Sequence, residues 1–401
     1  MKCVLTTLLL SIGATNLAQN PEANSGAALE KGYLYRAENF KIKMTNFRQA
    51  HPSSDAVCGR RLKAHNNVDL VRFNGRYYMA YRTAPFHFPS NQSRINILSS
   101  EDGKHWQCEF GFCAGRDLRE PRFLEFDGTL RLYFFQGGVS MWKFQPGQIL
   151  CATLKEHWTD PVVVQPEMFD GYVPWRFRVK DGRAYMSAYQ GTEMYRFKGG
   201  GKKCHVRLFV SEDGERWRPA AEKPEFDERW AEEGEIIFDD KGELWGTIRL
   251  EGKGGALVWT ENGESKWKSK PLPRKYDSAL LFNHGKNTFL VARRHLWGDG
   301  SFWRKARLLP EKMRHLYSMV HYWLATKRTS IYLIDKAKKD VVFLCDLPSR
   351  GDTAFAGIAP AGPNRYLVAN YSNDVRGPDL PWLFGQVRAT HIYTFELTIE
   401  E

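Results

Sequence analysis

Short stretches of alternating apolar and polar residues run along almost the whole chain, and helical periodicity is nearly absent. Six times such a stretch meets a Gly-containing turn or its equivalent and resumes as an aromatic-rich run. The copies read VDLVRFNGRYYMAYR from Val68, REPRFLEFDGTLRLYFF from Arg119, PWRFRVKDGRAYMSAY from Pro174, EGEIIFDDKGELWGTIR from Glu233, DSALLFNHGKNTFLVARR from Asp277 and FAGIAPAGPNRYLVANYS from Phe355. Units of about four strands repeating every 40–50 residues predict blades packed round a channel. The reading is an all-β, six-bladed β-propeller over residues 33–401, with blades opening near 66, 115, 170, 231, 276 and 351. Tyr33 to Met44 reads as one further strand, expected to complete the sixth blade and close the ring.

Two outer turns repeat one device, Ser100-Glu101-Asp102-Gly103 with Trp106 and Ser211-Glu212-Asp213-Gly214 with Trp217, and Glu261-Asn262-Gly263 with Trp267 is a looser copy. Ser and Asp hydrogen-bond the turn backbone, Gly supplies positive φ and Trp plugs between strands, so these are structural turns rather than catalytic ones. Residues 296–328, basic and aromatic, interrupt the fifth blade. They read either as a surface excursion or as a helix or lid over one face.

Lys2, the apolar run Val4 to Ile12 and the small residues Ala14 and Ala18 fit a cleavable export signal over residues 1–19, followed by a flexible lead-in over 20–32. That predicts a periplasmic or extracellular protein. Without Cys3, six cysteines remain, an even number that suits an oxidising compartment, and Cys108 with Cys113 is the pair expected. The formal charge of +12, spread through loops, favours an anionic substrate or peripheral contact with an anionic membrane surface such as lipopolysaccharide. No nucleic-acid motif accompanies it.

In a propeller the starts of the innermost strands converge on one place. Those starts carry Asp69, Arg119 with Glu120, Trp175 with Arg176, Glu233, Asp277 and Asp352, and the second strands end on Arg82, Arg249, Arg293 and Tyr371. Carboxylates crowded into one channel repel and need a compensating use. Paired carboxyls do glycoside chemistry, one protonating the leaving oxygen while the other attacks or activates water, and arginines hold an acidic sugar. Carboxylates alone would point to calcium, but here arginines interleave, so neither metal nor cofactor is expected. His65 and His87 are further proton donors, and Trp175 suits either a sugar platform or packing between blades.

These residues resemble the sialidase superfamily. The SxDGxxW turns are abbreviated forms of its Asp-box, or BNR, repeat. Glu233, with Arg249 sixteen residues later, is similar to a sialidase glutamate and clamp arginine, and Arg293 matches a second member of the arginine triad. HNNVDLVRFNGRYYMAYR, DLREPRF, PWRFRVKDGRAY and GDTAFAGIAP followed by YLVANYS are similar to a group of sialidase-like BNR propellers. The resemblance implies a sialidase-type propeller and an exo-glycosidase. Three departures narrow it: His65-Asn66-Asn67-Val68-Asp69 stands where the first triad arginine belongs, TAPFHFPSNQSRINILSS after Arg82 holds no carboxylate, and the expected tyrosine is missing from Gly351-Asp352-Thr353-Ala354-Phe355.

Glu233, Asp352 and Asp69 are therefore the expected catalytic carboxylates. Arg119 or Arg176 would replace the missing clamp, and Arg249, Arg293, Glu120, Arg82, Trp175, Asp277, Tyr371, His65 and His87 line the site. The expected substrate is a terminal acidic sugar, sialic-acid-like or 3-deoxy-octulosonate (Kdo). An inverting hydrolase of uronic or furanose sugars and a non-catalytic acidic-glycan-binding propeller are the alternatives.

Overall fold

A computed structural model describes residues 26–37, 39–53, 56, 58–140, 145–190, 204–261, 266–298 and 301–401. Six antiparallel sheets form the blades of a β-propeller. Their inner strands are Ala64–Phe73, Asp117–Phe126, Tyr172–Lys180, Ala231–Phe238, Leu280–His284 and Thr353–Gly362. Each touches the next in order and the sixth touches the first, so the ring is continuous. Inner and second strands of the first three blades meet in two-residue turns whose central residues both have positive φ: Asn74 (47°) with Gly75 (80°), Asp127 (49°) with Gly128 (66°), and Asp181 (51°) with Gly182 (68°). That geometry matches the strands' own twist, which is why Asn-Gly and Asp-Gly recur there.

The sixth sheet holds five strands. Phe40–His51 pairs with the C-terminal strand His391–Glu400, and Tyr33–Ala37 pairs outside it. The single strand expected over Tyr33–Met44 is thus two, folded back where Ala37 pairs with Phe40. Within the expected flexible lead-in, Gly26–Lys31 is a short helix whose Leu29 is buried with Val375 and Tyr393. Residues 1–19, the expected export signal, lie outside the described residues.

Aromatic side chains fill the gaps between blades. Tyr133 of blade 2 stacks on Phe177 of blade 3 at 4.5 Å, and Trp217 meets both rings edge-on. Trp217 comes from one of the repeated turns, in which Ser211 Oγ accepts from the Gly214 amide and Asp213 from those of Glu215 and Arg216. The Ser100–Trp106 turn is built the same way. In the looser copy, Asn262 and Gly263 fall outside the described residues.

The insertion after blade 5's second strand, Asn287–His295, forms helices Phe302–Lys305 and Glu311–Leu324 before the third strand, Lys327–Asp335. It is more than a surface excursion. Tyr322, Phe302 and Ala325 make a buried cluster, with Trp382 packed against it, beside the start of the fifth inner strand.

Cys58 and Cys108 form the disulfide, with Cα atoms 5.4 Å apart, and Cys113 is exposed and free. The expected Cys108–Cys113 pair fails on geometry. Residues Gln107–Phe112 are one extended strand, so five residues at about 3.4 Å each separate the two Cα atoms far beyond the roughly 7 Å a disulfide tolerates.

Candidate active site at the channel mouth

Inner strands of five blades carry a bulge near their start. One extra residue intervenes between Asn66 and Asp69, Arg119 and Arg122, Pro174 and Arg176, Glu232 and Glu235, and Ala354 and Gly357. Four of these bulges hold a residue in the left-handed region: Asn67 (φ 54°), Glu120 (53°), Glu233 (48°) and Phe355 (49°). Ser278 (54°) adopts the same conformation just before the fifth inner strand. Outside glycine such conformations cost about 1–3 kcal/mol each and collect at functional sites, and a bulge re-aims the side chain it carries. Here it turns Asn67, Glu120 and Glu233 toward one another at the strand starts.

Glu120 accepts from Asn67 Nδ2 at 2.7 Å, and Arg122 lies 3.5 Å from its other oxygen. Burial pushes the Glu120 carboxyl above its ordinary range; Arg122 and the Asn67 hydrogen bond oppose the shift, and the charge of Glu233 adds to it. Glu120 belongs to blade 2 and Glu233 to blade 4, so that repulsion acts past the intervening blade, across the channel. Glu233 accepts from Arg249 Nη1 at 2.5 Å and from the Ser278 amide at 2.6 Å. Arg249 also pairs with Glu251 and lies 3.0 Å from Glu232, while Lys275 Nζ donates to Glu251 at 2.6 Å. Burial raises the Glu232 carboxyl well above its usual value and outweighs Arg249, with Glu251 and Glu233 adding to the rise. Burial also works against an ionised Glu251, but Arg249 and Lys275 more than offset it.

A second series of contacts continues round the mouth. His87 Nδ1 meets Asp352 Oδ2 at 2.6 Å, and Asp352 Oδ1 accepts from Trp382 Nε1 at 2.9 Å and from the Tyr371 hydroxyl at 3.1 Å. Burial disfavours the Asp352 anion, yet His87 and then Arg293 hold its carboxyl below the ordinary range. Arg293 donates to Asp277 at 2.6 Å, to the Thr353 carbonyl at 2.7 Å and to the Tyr371 hydroxyl at 3.2 Å. From the insertion, the Tyr322 hydroxyl also donates to Asp277, and the ammonium groups of Lys275 and Lys327 stand 3.8 Å and 3.7 Å from the centre of its ring. On the blade 1 side Arg82 donates to Asp117 at 2.6 Å, and Arg119 pairs with Asp117 and donates to the His87 carbonyl at 2.7 Å.

The fold thus brings together Glu233, Asp352, Arg249, Arg293, Arg119, Glu120, Arg82, Asp277, Tyr371 and His87 of the expected set. Four others lie elsewhere. Asp69 accepts from the Phe123 amide at 2.8 Å and from Arg176 at 3.2 Å, and Arg176 pairs with Glu235 at 2.7 Å. Both expected roles are corrected by this: Asp69 and Arg176 are spent tying blades 1, 2, 3 and 4 together. Trp175 has no exposed surface, and the guanidinium of Arg122 covers its ring at 5.2 Å, so it is packing and not a sugar platform. His65 is buried edge-on against His51 at 4.3 Å, next to Tyr81, in a separate histidine cluster.

Asp117, Glu251, Lys275, Tyr322 and Trp382 belong to the site but escaped sequence reasoning. Asp117 stands in DLREPRF and Lys275 two residues before Asp277, so proximity to an inner-strand start was their signal. Tyr322 and Trp382 come from excursions outside the repeat, where no periodicity marks them. Among the described residues no three His, Cys, Asp or Glu side chains are grouped to hold a metal ion.

No protein-family model and no curated protein matches the chain. Solved structures do. A Dyadobacter fermentans protein of unknown function is 14% identical with a TM-score of 0.57, over 88% of this chain and 99% of that one. Trypanosoma rangeli sialidase in complex with sialic acid is 11% identical with a TM-score of 0.58, over 88% of this chain and 58% of that one. Phage phi92 endosialidase is 10% identical with a TM-score of 0.57, over 89% of this chain and 69% of that one. This chain therefore spans little more than half of the Trypanosoma enzyme's length. At such identities the likeness speaks for architecture: the fold is a six-bladed propeller of sialidase type.

Proposed function

We propose that this protein is an exported exo-glycosidase that removes a terminal acidic sugar, a sialic-acid-like nonulosonate or Kdo, from a glycan or lipopolysaccharide. The observation that carries the reading is the pair Glu120 and Glu233, set at equivalent bulges on blades 2 and 4, either side of blade 3, with the Glu120 carboxyl held toward its protonated form. Two carboxyl groups whose surroundings differ in this way divide the work of glycoside hydrolysis: a protonated acid for the leaving oxygen and an ionised partner to attack or activate water. Glu233, which takes one guanidinium and one amide hydrogen bond, is assigned the attacking or water-activating role. Arg119 is the best-exposed guanidinium beside them, its side chain 13% accessible, and receives the substrate carboxylate. Asp352 is fully buried and acts through His87, orienting its ring. Export is supported by the residue 1–19 pattern and by the Cys58–Cys108 disulfide, which an oxidising compartment preserves.

A non-catalytic glycan-binding role is the second reading. It is favoured by the segment 83–100, which brings His87 and no carboxylate to the mouth. Mass spectrometry of small acids released from lipopolysaccharide and from sialylated glycans separates the two, with Glu233→Gln as control. Release by the native protein alone supports the glycosidase and names its sugar, and the anomer of the first product reports retention or inversion. Binding without release by either form would leave the lectin.

A further inference from the structure

The Glu311–Leu324 helix has two apolar faces. Ser318, Met319 and Tyr322 are buried against the propeller. At 100° per residue, Met313, Leu316, Tyr317, Val320 and Leu324 fall within a stripe about 100° wide on the other side, while Trp323 packs against the Phe302–Tyr322 cluster. None of these five is buried, and Met313 and Leu316 are 53% and 48% exposed. Just before the helix, Leu308 is 91% exposed. Four exposed cations, Arg304, Lys305, Arg307 and Lys312, stand in the segment leading into the helix and in its first turn, and the single acid among them, Glu311, pairs with Arg229 at 3.7 Å.

We infer that this face docks onto an anionic lipid surface. An apolar stripe turned away from the core and accompanied by cations is what a helix lying in the plane of a membrane interface presents. The cations select the occupant: a second copy of a chain carrying +12 would bring like charge to them, whereas anionic headgroups neutralise them. At 14 residues the helix is about 21 Å long, too short to cross a hydrocarbon core of about 30 Å, so the contact is peripheral. The helix's inner face carries Tyr322, bonded to Asp277 of the candidate site. Docking therefore holds the channel mouth near the lipid surface. If the glycosidase reading holds, its substrate is a glycan carried on lipid, but the docking stands without it.

The test is flotation of the purified protein with vesicles of phosphatidylglycerol and phosphatidylcholine, against phosphatidylcholine alone. Binding to the anionic vesicles only, weakened by salt, is expected. Neutralising Arg307 and Lys312 (Arg307→Gln with Lys312→Gln) should reduce partitioning by about fivefold per residue. Leu308→Ser with Met313→Ser should reduce it by about tenfold or more while the thermal midpoint stays unchanged, because both side chains are exposed. Equal binding to both vesicle types, binding indifferent to the variants, or no binding with self-association that Met313→Ser abolishes would each overturn the inference. None of these readouts requires turnover, so failure here and failure of the glycosidase reading are distinguishable.

Discussion

His51 ends the strand Phe40–His51 and is 5% exposed, so its titration should govern how acid loosens the joint between the N-terminal strand and the first blade. Its ring meets His65 at 4.3 Å and Tyr81 at 4.8 Å. Burial pushes the imidazole down to about 4; the Ala56 backbone opposes, and His391 and Arg61 add to the drop. With a folded pKa below the unfolded value of about 6.5, the unfolded chain binds the proton first. The contribution is therefore fully present above pH 6.5 and is lost as pH falls toward 4. At pH 4.5 the unfolded form gains a factor of about 75, which is about 2.5 kcal/mol of lost stability from this one ring. Urea unfolding of the wild type and of His51→Gln at pH 7.5 and 4.5 isolates it from the acid-titrating groups other than His65 and His391, whose charges act on the same cluster. The wild type should lose about 2.5 kcal/mol more than the variant over that interval. Parallel losses in both proteins would refute the reasoning.

Other expectations follow from the same contacts. Reducing Cys58–Cys108, which closes a 50-residue separation, should lower unfolding stability by about 4 kcal/mol in urea, whereas Cys113→Ser should leave the midpoint unmoved. Glu235→Gln removes the carboxylate that Arg176 and Arg178 each meet at 2.7 Å, leaving Arg176 with Asp69 alone, so it should cost about 3–5 kcal/mol in equilibrium unfolding, the penalty of breaking a buried charge network. If Glu120 is the acid, turnover should fall as pH rises through its elevated pKa, and Glu120→Gln should lose that alkaline limb and slow the reaction by about 10²–10⁴. A pH profile that keeps the limb in Glu120→Gln would assign the acid elsewhere, with His87 the first group to test.

Blade count and the direction in which the site lies are local properties, and both were legible. Each hairpin carries its own alternation and its own turn residues, as Asn74-Gly75 and Asp127-Gly128 do, so six copies announce six blades whatever they pack against. Strand starts converge in any such wheel, so Glu233, Arg249, Asp277, Arg293 and Asp352 were found from position alone. Which polar residues face the channel was not legible, because a single bulged residue reverses the alternation. At the bulges Glu120 and Glu233 turn to the channel mouth, while Asp69 and Arg176, two and one positions beyond, turn into the joints between blades.

The sequence by itself determined the repeat, the turn chemistry and the supply of charged residues at the strand starts, since these depend on neighbours within about fifteen positions. Only the tertiary structure decided how the charges are shared. Asp69 goes to Arg176 and Asp352 to His87 because side chains 107 and 265 residues apart become adjacent when the ring closes. Folding within single blades does the same: it brings Cys58 to Cys108 on the outer strand of blade 1, and sets Tyr322 of the blade 5 insertion on Asp277 at that blade's start. Pairing a buried charge is a matter of distance and desolvation in three dimensions, and neither quantity has a signature along the chain.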